Sequence, residues 1–422
     1  MMDINRVRSL FPALERPRVF FDNPGGTQAV RHCLEGYQHY LTTCNANHGG
    51  EFITSRESDA IVDEARAAAS DLLNVSRPEE IVFGLNMTSL TYIISRALVR
   101  TFEPGEKIAV TRMDHDANIS PWVQAAEENG CEVLWVDFDK RSGTLNLDSL
   151  LAALDKKPRL LAAGYASNAL GTINPIGRVI QMAHAAGALV YVDAVQFAPH
   201  GSIDVRALDC DFLVCSAYKF FGPHLGILYG RYDLLEQIPA FRVRPAPALP
   251  PGKFETGTAQ FEAISALKGT LDYFQWLGSE FGQKDDGLGE GAVSERRRLF
   301  VRAMGAIQAY EQTIIAAMLH GLLSMPGVRI YGPADMEDLE GRVPTFSFTV
   351  EGWTPRAVAR RMDEAGINVW NGNFYALAVT QHLGLEESGG LVRVGPVHYN
   401  TLQEVERFLD TLKGMRAESP AA

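Results

Sequence analysis

Between residues 55 and 275 the chain alternates short apolar runs with amphipathic ones, and this alternation narrows the possible folds more than any other feature of its 422 residues. Glu80 to Phe83, Lys107 to Thr111, Glu132 to Phe138 and Leu160 to Tyr165 read as short buried strands. Residues 57 to 73 keep Ile61, Ala65, Ala68 and Leu72 on one helical face, and Leu145 to Leu154 and Ile176 to Ala186 are amphipathic segments between strands. Such alternation implies an α/β fold, a mostly parallel sheet covered by helices. In open sheets of this kind ligands sit beyond the carboxyl ends of the strands. Thr88, His115, Asn168, Asp193, Gln196 and Lys219 all fall there.

The length calls for a main domain of roughly 250 residues and a smaller one. The expected division is an N-terminal segment at 1–20 packed on the small domain, a large domain at 21–280, a small one at 281–415 and a flexible tail at 416–422. Pro245 to Gly252 cannot be helix or central strand and reads as an extended surface loop, and the Gly/Asp-rich stretch from Gly282 to Gly291 is a second break. After it come a long helix over about 293–323, strands at Val328 to Tyr331 and Thr345 to Val350, a helix near 355–365, and a final strand and helix, an α+β order.

A formal charge of -12 argues against nucleic acid or an anionic membrane as a partner. The N-terminus lacks an apolar signal core and no apolar run reaches membrane-spanning length, so a cytoplasmic protein is expected. Five cysteines are scattered without metal-ligand spacing, so no metal site is expected; Cys131, Cys210 and Cys215 lie in apolar runs as small hydrophobes.

The chemistry concentrates at Ser216-Ala217-Tyr218-Lys219-Phe220-Phe221-Gly222-Pro223, where an apolar run ends in a lysine between hydroxyl groups and a glycine turn. Tyr191-Val192-Asp193-Ala194-Val195-Gln196 closes another run 26 residues before that lysine, measured from Asp193. Pyridoxal phosphate requires this pairing, a lysine for its Schiff base and a carboxylate for its pyridinium nitrogen. Taken singly, Lys219 reads equally as a solvated charge and Asp193 as a helix cap. Gly84 to Ser89 is a strand-turn-helix junction whose first helical amides suit an anion, or simply a helix start capped by Thr88. His115, in a loop after a strand, can stack on a cofactor ring or merely be exposed. Arg393 sits in the apolar run Leu391 to Pro396, where it needs a carboxylate, either from an amino-acid substrate or from a structural ion pair.

Together these residues resemble the class V aminotransferase family of fold-type I pyridoxal phosphate enzymes, most closely its cysteine desulfurase and selenocysteine lyase branch. The resemblance runs over roughly 18–414 through Phe21-Asp22-Asn23-Pro24-Gly25-Gly26, Asp114-His115-Asp116-Ala117-Asn118, Ser167 to Thr172, Asp193 to Gln196, Ser216 to Lys219, Glu255 to Thr258 and Arg393. It implies a mostly parallel seven-stranded sheet with helices on both faces and a smaller α+β C-terminal domain. It implies that Lys219 carries the internal aldimine, Asp193 pairs with the pyridine nitrogen, and Gln196 and Asn168 contact the ring hydroxyl or substrate. His115 would stack over the ring, the Met87 backbone, Thr88 and Ser216 would hold the phosphate, and Tyr218 would stand where relatives place a phosphate-binding histidine. Arg393 would take the substrate carboxylate, and Gly257-Thr258 would reach the cofactor of the other subunit in a homodimer that shares its active sites.

Desulfurases carry a nucleophilic cysteine on a small-domain loop before the arginine strand. The matching stretch here is Trp370-Asn371-Gly372-Asn373-Phe374-Tyr375-Ala376-Leu377, and no cysteine follows residue 215. The expected activity is therefore thiol-independent: deprotonation at Cα of a small L-amino acid's external aldimine by Lys219, followed by C–S or related β/γ-elimination, with Asn371, Phe374 and Tyr375 at the pocket mouth. Transamination, epimerisation and carbon–carbon bond formation are alternatives, as is a pyridoxal-binding protein without turnover. A Rossmann enzyme is disfavoured because Gly287-Leu288-Gly289-Glu290-Gly291 has the wrong spacing and no preceding strand.

Overall fold

The computed structural model describes residues 2–289, 291 and 293–417. Its strands are β1 (Val19–Phe20), β2 (Ile81–Gly84), β3 (Lys107–Thr111), β4 (Glu132–Val136), β5 (Leu160–Gly164), β6 (Leu189–Asp193), β7 (Phe212–Ser216), β8 (Gly226–Gly230), β9 (Val328–Tyr331), β10 (Phe346–Val350), β11 (Ile367–Asn368), β12 (Trp370–Gly372) and β13 (Leu391–Val394). Seven of them form one sheet in the order β2-β8-β7-β6-β5-β3-β4. β8 is antiparallel to both β7 and β2, while all other pairs are parallel. Six strands therefore end at the same edge.

Central parallel strands are covered on both faces, so β5, β6 and β7 are apolar up to their last residues while edge strand β4 leaves Glu132 and Trp135 exposed, and alternate side chains feed two cores. Ala109, Leu161, Val192 and Leu213 join one apolar cluster; their neighbours Val110, Ala162, Tyr191 and Phe212 join the other. Each fully buried Val, Leu or Phe side chain among them contributes roughly 1.5–3 kcal/mol. Helices Ile53–Leu73, Phe261–Phe281 and Glu295–Leu323 pack together on the first side.

β12-β13-β10-β9 make a second, antiparallel sheet, covered by Pro355–Glu364, Leu402–Ala417 and the far part of the long helix around Ile314 to Leu322. β1 pairs in parallel with β11. Met2, Val7 and Phe11 enter the large-sheet core, whereas Val19 and Phe21 enter that of the small sheet, so the N-terminal residues touch both. Of the tail expected at 416–422, residues 418–422 lie outside the described residues. The two sheets interlock at Gly171, which has φ +76°; a Cβ there would sit 2.3 Å from the Thr345 carbonyl oxygen. A side chain at that turn would push the sheets apart.

Candidate active site

The shared edge of the parallel strands opens into a cavity of about 640 Å³. Asp193 is the last residue of β6, Ser216 the last of β7, and the 3-10 turn Ala217–Lys219 follows at once. The Lys219 ammonium donates to the carbonyl of Pro24. That carbonyl is itself fixed, since Asn23 donates to the Gly395 carbonyl at 2.7 Å and accepts from the Tyr399 hydroxyl. Burial disfavours the charge on Lys219 and Arg393 repels it, so its pKa falls to about 7 although Asp193 opposes the shift.

Asp193 is pushed up to about 6 by burial, against the Val195 amide and the positive field of Lys219. Its Oδ1 accepts from the Val195 amide at 2.9 Å in a turn, not at a helix start. The carboxylate is therefore no helix cap. A second acid, Asp114, lines the same cavity and is raised to about 7, by burial first and by the charge of Asp193 in addition. Thr111 Oγ1 (2.5 Å), Asn118 Nδ2 (2.6 Å) and the Gly164 amide (2.9 Å) all donate to it.

The helix Met87–Val99 begins at this edge after β2. Its cap is Asn86, whose Oδ1 accepts from the Ser89 amide at 2.9 Å, so the alternative of Thr88 as cap is corrected: Thr88 is the second residue of the helix and lines the cavity. The Met87 amide donates to Ser216 Oγ at 2.9 Å, which ties the helix start to the end of β7. Tyr218 and His224 stack at 4.8 Å along the same wall.

His115 Nδ1 accepts from the Ala117 amide at 3.0 Å, which leaves the proton of the neutral ring on Nε2. Burial, then Lys219 and Arg393, lower its pKa to about 3 and keep it neutral. Its ring stacks on Tyr375 at 5.7 Å.

Across the cavity lies a second space of about 840 Å³, which shares Lys219, His115, Thr88 and Asn168 with the first. Arg393, on β13, is 3% exposed and donates to the Asn168 carbonyl at 2.9 Å, with its guanidinium 4.3 Å from the Phe374 ring centre. The alternative of a structural ion pair is not formed: among the described residues its guanidinium meets that carbonyl and that ring, feels the charge of Asp22 without a direct bond to it, and leaves Nε without a partner. Asn168 donates to the Phe374 carbonyl at 2.9 Å and leaves Oδ1 buried and unpaired. Gln196 lines the first cavity but donates its amide to Thr345 Oγ1, 3.0 Å away on the small-sheet side. Thr258 lies outside both cavities, exposed beside Leu85 and Gln260.

The structure thus gathers Lys219, Asp193, Gln196, His115, Met87, Thr88, Ser216, Tyr218 and Asn168 around one cavity, places Arg393 in the adjoining one, and leaves Thr258 apart. Asp114, Tyr92 and Pro24 were not singled out by sequence. Asp114 had a signal, a carboxyl three residues beyond a buried strand; the Pro24 carbonyl had none. None of the five cysteines lines either cavity.

A lysine held near neutrality beside a buried carboxylate, with a helix start at one side and two unpaired polar atoms at the other, fits pyridoxal phosphate in its donor set and its room. The family model for aminotransferase class-V matches residues 19–288 and 300–408. An aminotransferase-like protein of Gibberella zeae is 34% identical over 97% of this chain and 98% of its own length. A cysteine desulfurase of Pectobacterium atrosepticum is 30% identical, covering 97% of each chain. Among solved structures, the cysteine desulfurase of Thermococcus onnurineus superposes with a TM-score of 0.85 at 26% identity over 98% of each chain. The chain therefore belongs to the class V aminotransferase family and is an enzyme that uses pyridoxal phosphate.

Proposed function

We propose that this enzyme removes the Cα proton of a small L-amino acid and drives β- or γ-elimination, of a C–S bond or a related one, without a protein thiol. The observation that carries the reading is the Lys219 amine, buried and held near a pKa of 7 in a site that no cysteine lines. An amine so poised is substantially unprotonated at neutral pH, which is what a Cα base requires. When bound, pyridoxal phosphate supplies a carbonyl for imine formation and an electron-poor ring that accepts charge from Cα.

In this reading Asp193 would hold the ring nitrogen, and its carboxylate would keep that nitrogen protonated. Thr88, Ser216, Tyr218 and the backbone at Met87 hold the phosphate, helped by the helix dipole. His115, a neutral imidazole with its proton on Nε2, would cover the ring face. Arg393 and Asn168 receive the substrate's carboxylate and hold its Cα–H toward Lys219. Gln196 keeps its oxygen for the ring hydroxyl's proton. The exposed Thr258 and the 57% exposed Leu85 beside it form part of a homodimer surface, where Thr258 serves the other subunit's site. A cytoplasmic location belongs to the same proposal; among the described residues no helix is long and apolar enough to cross a membrane.

The test is to titrate the cofactor-loaded protein with amino acids while following its absorption and its products. A 2-oxo acid with ammonia supports elimination. Sulfide with alanine would overturn the thiol-free mechanism. Transamination is the second reading, favoured by the 34% identity to an aminotransferase-like protein, and its mark is conversion of the cofactor to its amine form.

A further inference from the structure

The 840 Å³ cavity has two chemically different ends. At its deep end stand Lys219 and the almost fully buried Arg393. Toward its mouth, marked by the exposed rings of Trp370 and Tyr375, stand the half-buried Asp116 and Glu386; the Tyr92 ring lines both cavities. Asp116 accepts from the Ser120 hydroxyl at 2.6 Å. Glu386 accepts from Asn373 Nδ2 at 3.0 Å and from the Thr380 hydroxyl. All three donors are neutral, and among the described residues no ion pair to either carboxylate is formed.

A second, independent feature marks the same cavity as a ligand site. Among the described residues, Arg393 Nε and Asn168 Oδ1 are buried without partners, in residues 3% and 8% exposed. A lone donor beside a lone acceptor at that depth costs stability unless a ligand engages both. The α-carboxylate of an amino acid meets the first, and an N–H donor of the same molecule meets the second.

We infer, resting on the amino-acid chemistry proposed above, that the substrate's side chain ends in a cation, an ammonium or a guanidinium, held at the cavity mouth by Glu386 and Asp116. With the carboxylate anchored deep, the side chain must run outward, because Arg393 repels a positive group. At the mouth it meets two carboxylates without counter-ions and aromatic faces that attract cations. An acidic side chain would meet the same carboxylates and be rejected. The volume suits a chain longer than that of cysteine.

The experiment compares matched pairs on the cofactor-loaded enzyme, reading half-saturation from the absorption change and not from turnover. S-(2-aminoethyl)-L-cysteine is set against S-propyl-L-cysteine, and L-arginine against L-citrulline. The cationic member of each pair should half-saturate at a concentration about tenfold lower. Glu386→Gln and Asp116→Asn should each cut that ratio severalfold. Raising the salt from 0.05 to 0.5 M should shrink it further. Equal half-saturation within pairs, or substitutions that weaken both members alike, would overturn the inference while the amino-acid reading survives. If neither variant folds, the wild-type ratio alone decides. If no amino acid changes the spectrum, the reading of the site as an amino-acid enzyme falls, and this inference with it.

Discussion

The wall that carries Lys219 and the wall that carries Tyr375 face one cleft but are held in place by different means. Lys219, Asp193 and Ser216 sit on or just after strands in the middle of a seven-stranded sheet, and their positions follow from β6 and β7 being hydrogen-bonded to their neighbours. Phe374 and Tyr375 belong to a loop after the three-residue strand β12, and both have left-handed backbones, φ 58° and 57°. Bulky residues pay for that conformation with roughly 1–2 kcal/mol each. It persists because the large-sheet side grips the loop: Asn168 holds the Phe374 carbonyl, and the Asp116 amide holds that of Tyr375 at 2.6 Å. The comparison teaches that the residues proposed for the chemistry are fixed by the sheet, while the loop facing them is bound to it at only a few points.

The sharpest way to break this comparison is to remove the lysine proposed as the base. Lys219→Ala should lower turnover at least about a thousandfold and abolish covalent retention of the cofactor after borohydride reduction. Retention of either would mean that the sheet edge is not where the chemistry is. Asp193→Asn should cost about a hundredfold in turnover, because an amide cannot keep a ring nitrogen protonated. Its wild-type pH behaviour follows in sign: the carboxylate is present above about 6, so cofactor affinity should fall as pH drops through that value. The asparagine variant should lose that dependence in an equilibrium titration.

A smaller effect tests the environment of the same lysine. With its pKa near 7, the rate at which the cofactor-free protein takes up pyridoxal phosphate should rise about tenfold per pH unit below 7 and level off just above it. A rate still climbing at pH 9 would show that the amine is solvated like an ordinary lysine.

How much of this was legible in the sequence divides along the same line. β3 was read at its observed limits, and β5 and the helix after Pro175 to within one residue, because buried strands and amphipathic helices declare themselves by period. Lys219, Asp193 and Ser216 were legible for the same reason, each closing an apolar run. The cap at Asn86 was missed because Asn, Thr and Ser all stand near that junction, and only geometry decides which side chain meets the Ser89 amide. Arg393 was recognised as anomalous from its apolar strand, but neither the Phe374 ring over it nor its unpaired Nε can be read from residues 19 positions apart. Loop conformations such as the left-handed pair at 374 and 375 leave no periodic trace. They are fixed by contacts from residues 168 and 116, far away in the chain.

The loop wall offers the subtlest test, since its two strained residues should respond in opposite ways to glycine. Tyr375 is 75% exposed, so Tyr375→Gly removes little packing and relieves a left-handed tyrosine. The relief is offset in part by the extra freedom glycine gives the unfolded chain, roughly 0.4–1 kcal/mol. Its Tm should stay level or rise by about 2 °C, with KM up severalfold from loss of the stack on His115 and kcat little changed. Phe374→Gly relieves the same backbone but strips the ring from Arg393 and from the cluster around Leu391 and Val379, a loss of about 1–3 kcal/mol. Its Tm should fall by several degrees. Were both variants equally stabilised, the Phe374 ring would add nothing to the closed loop, and Arg393 would have to be positioned by the Asn168 carbonyl alone.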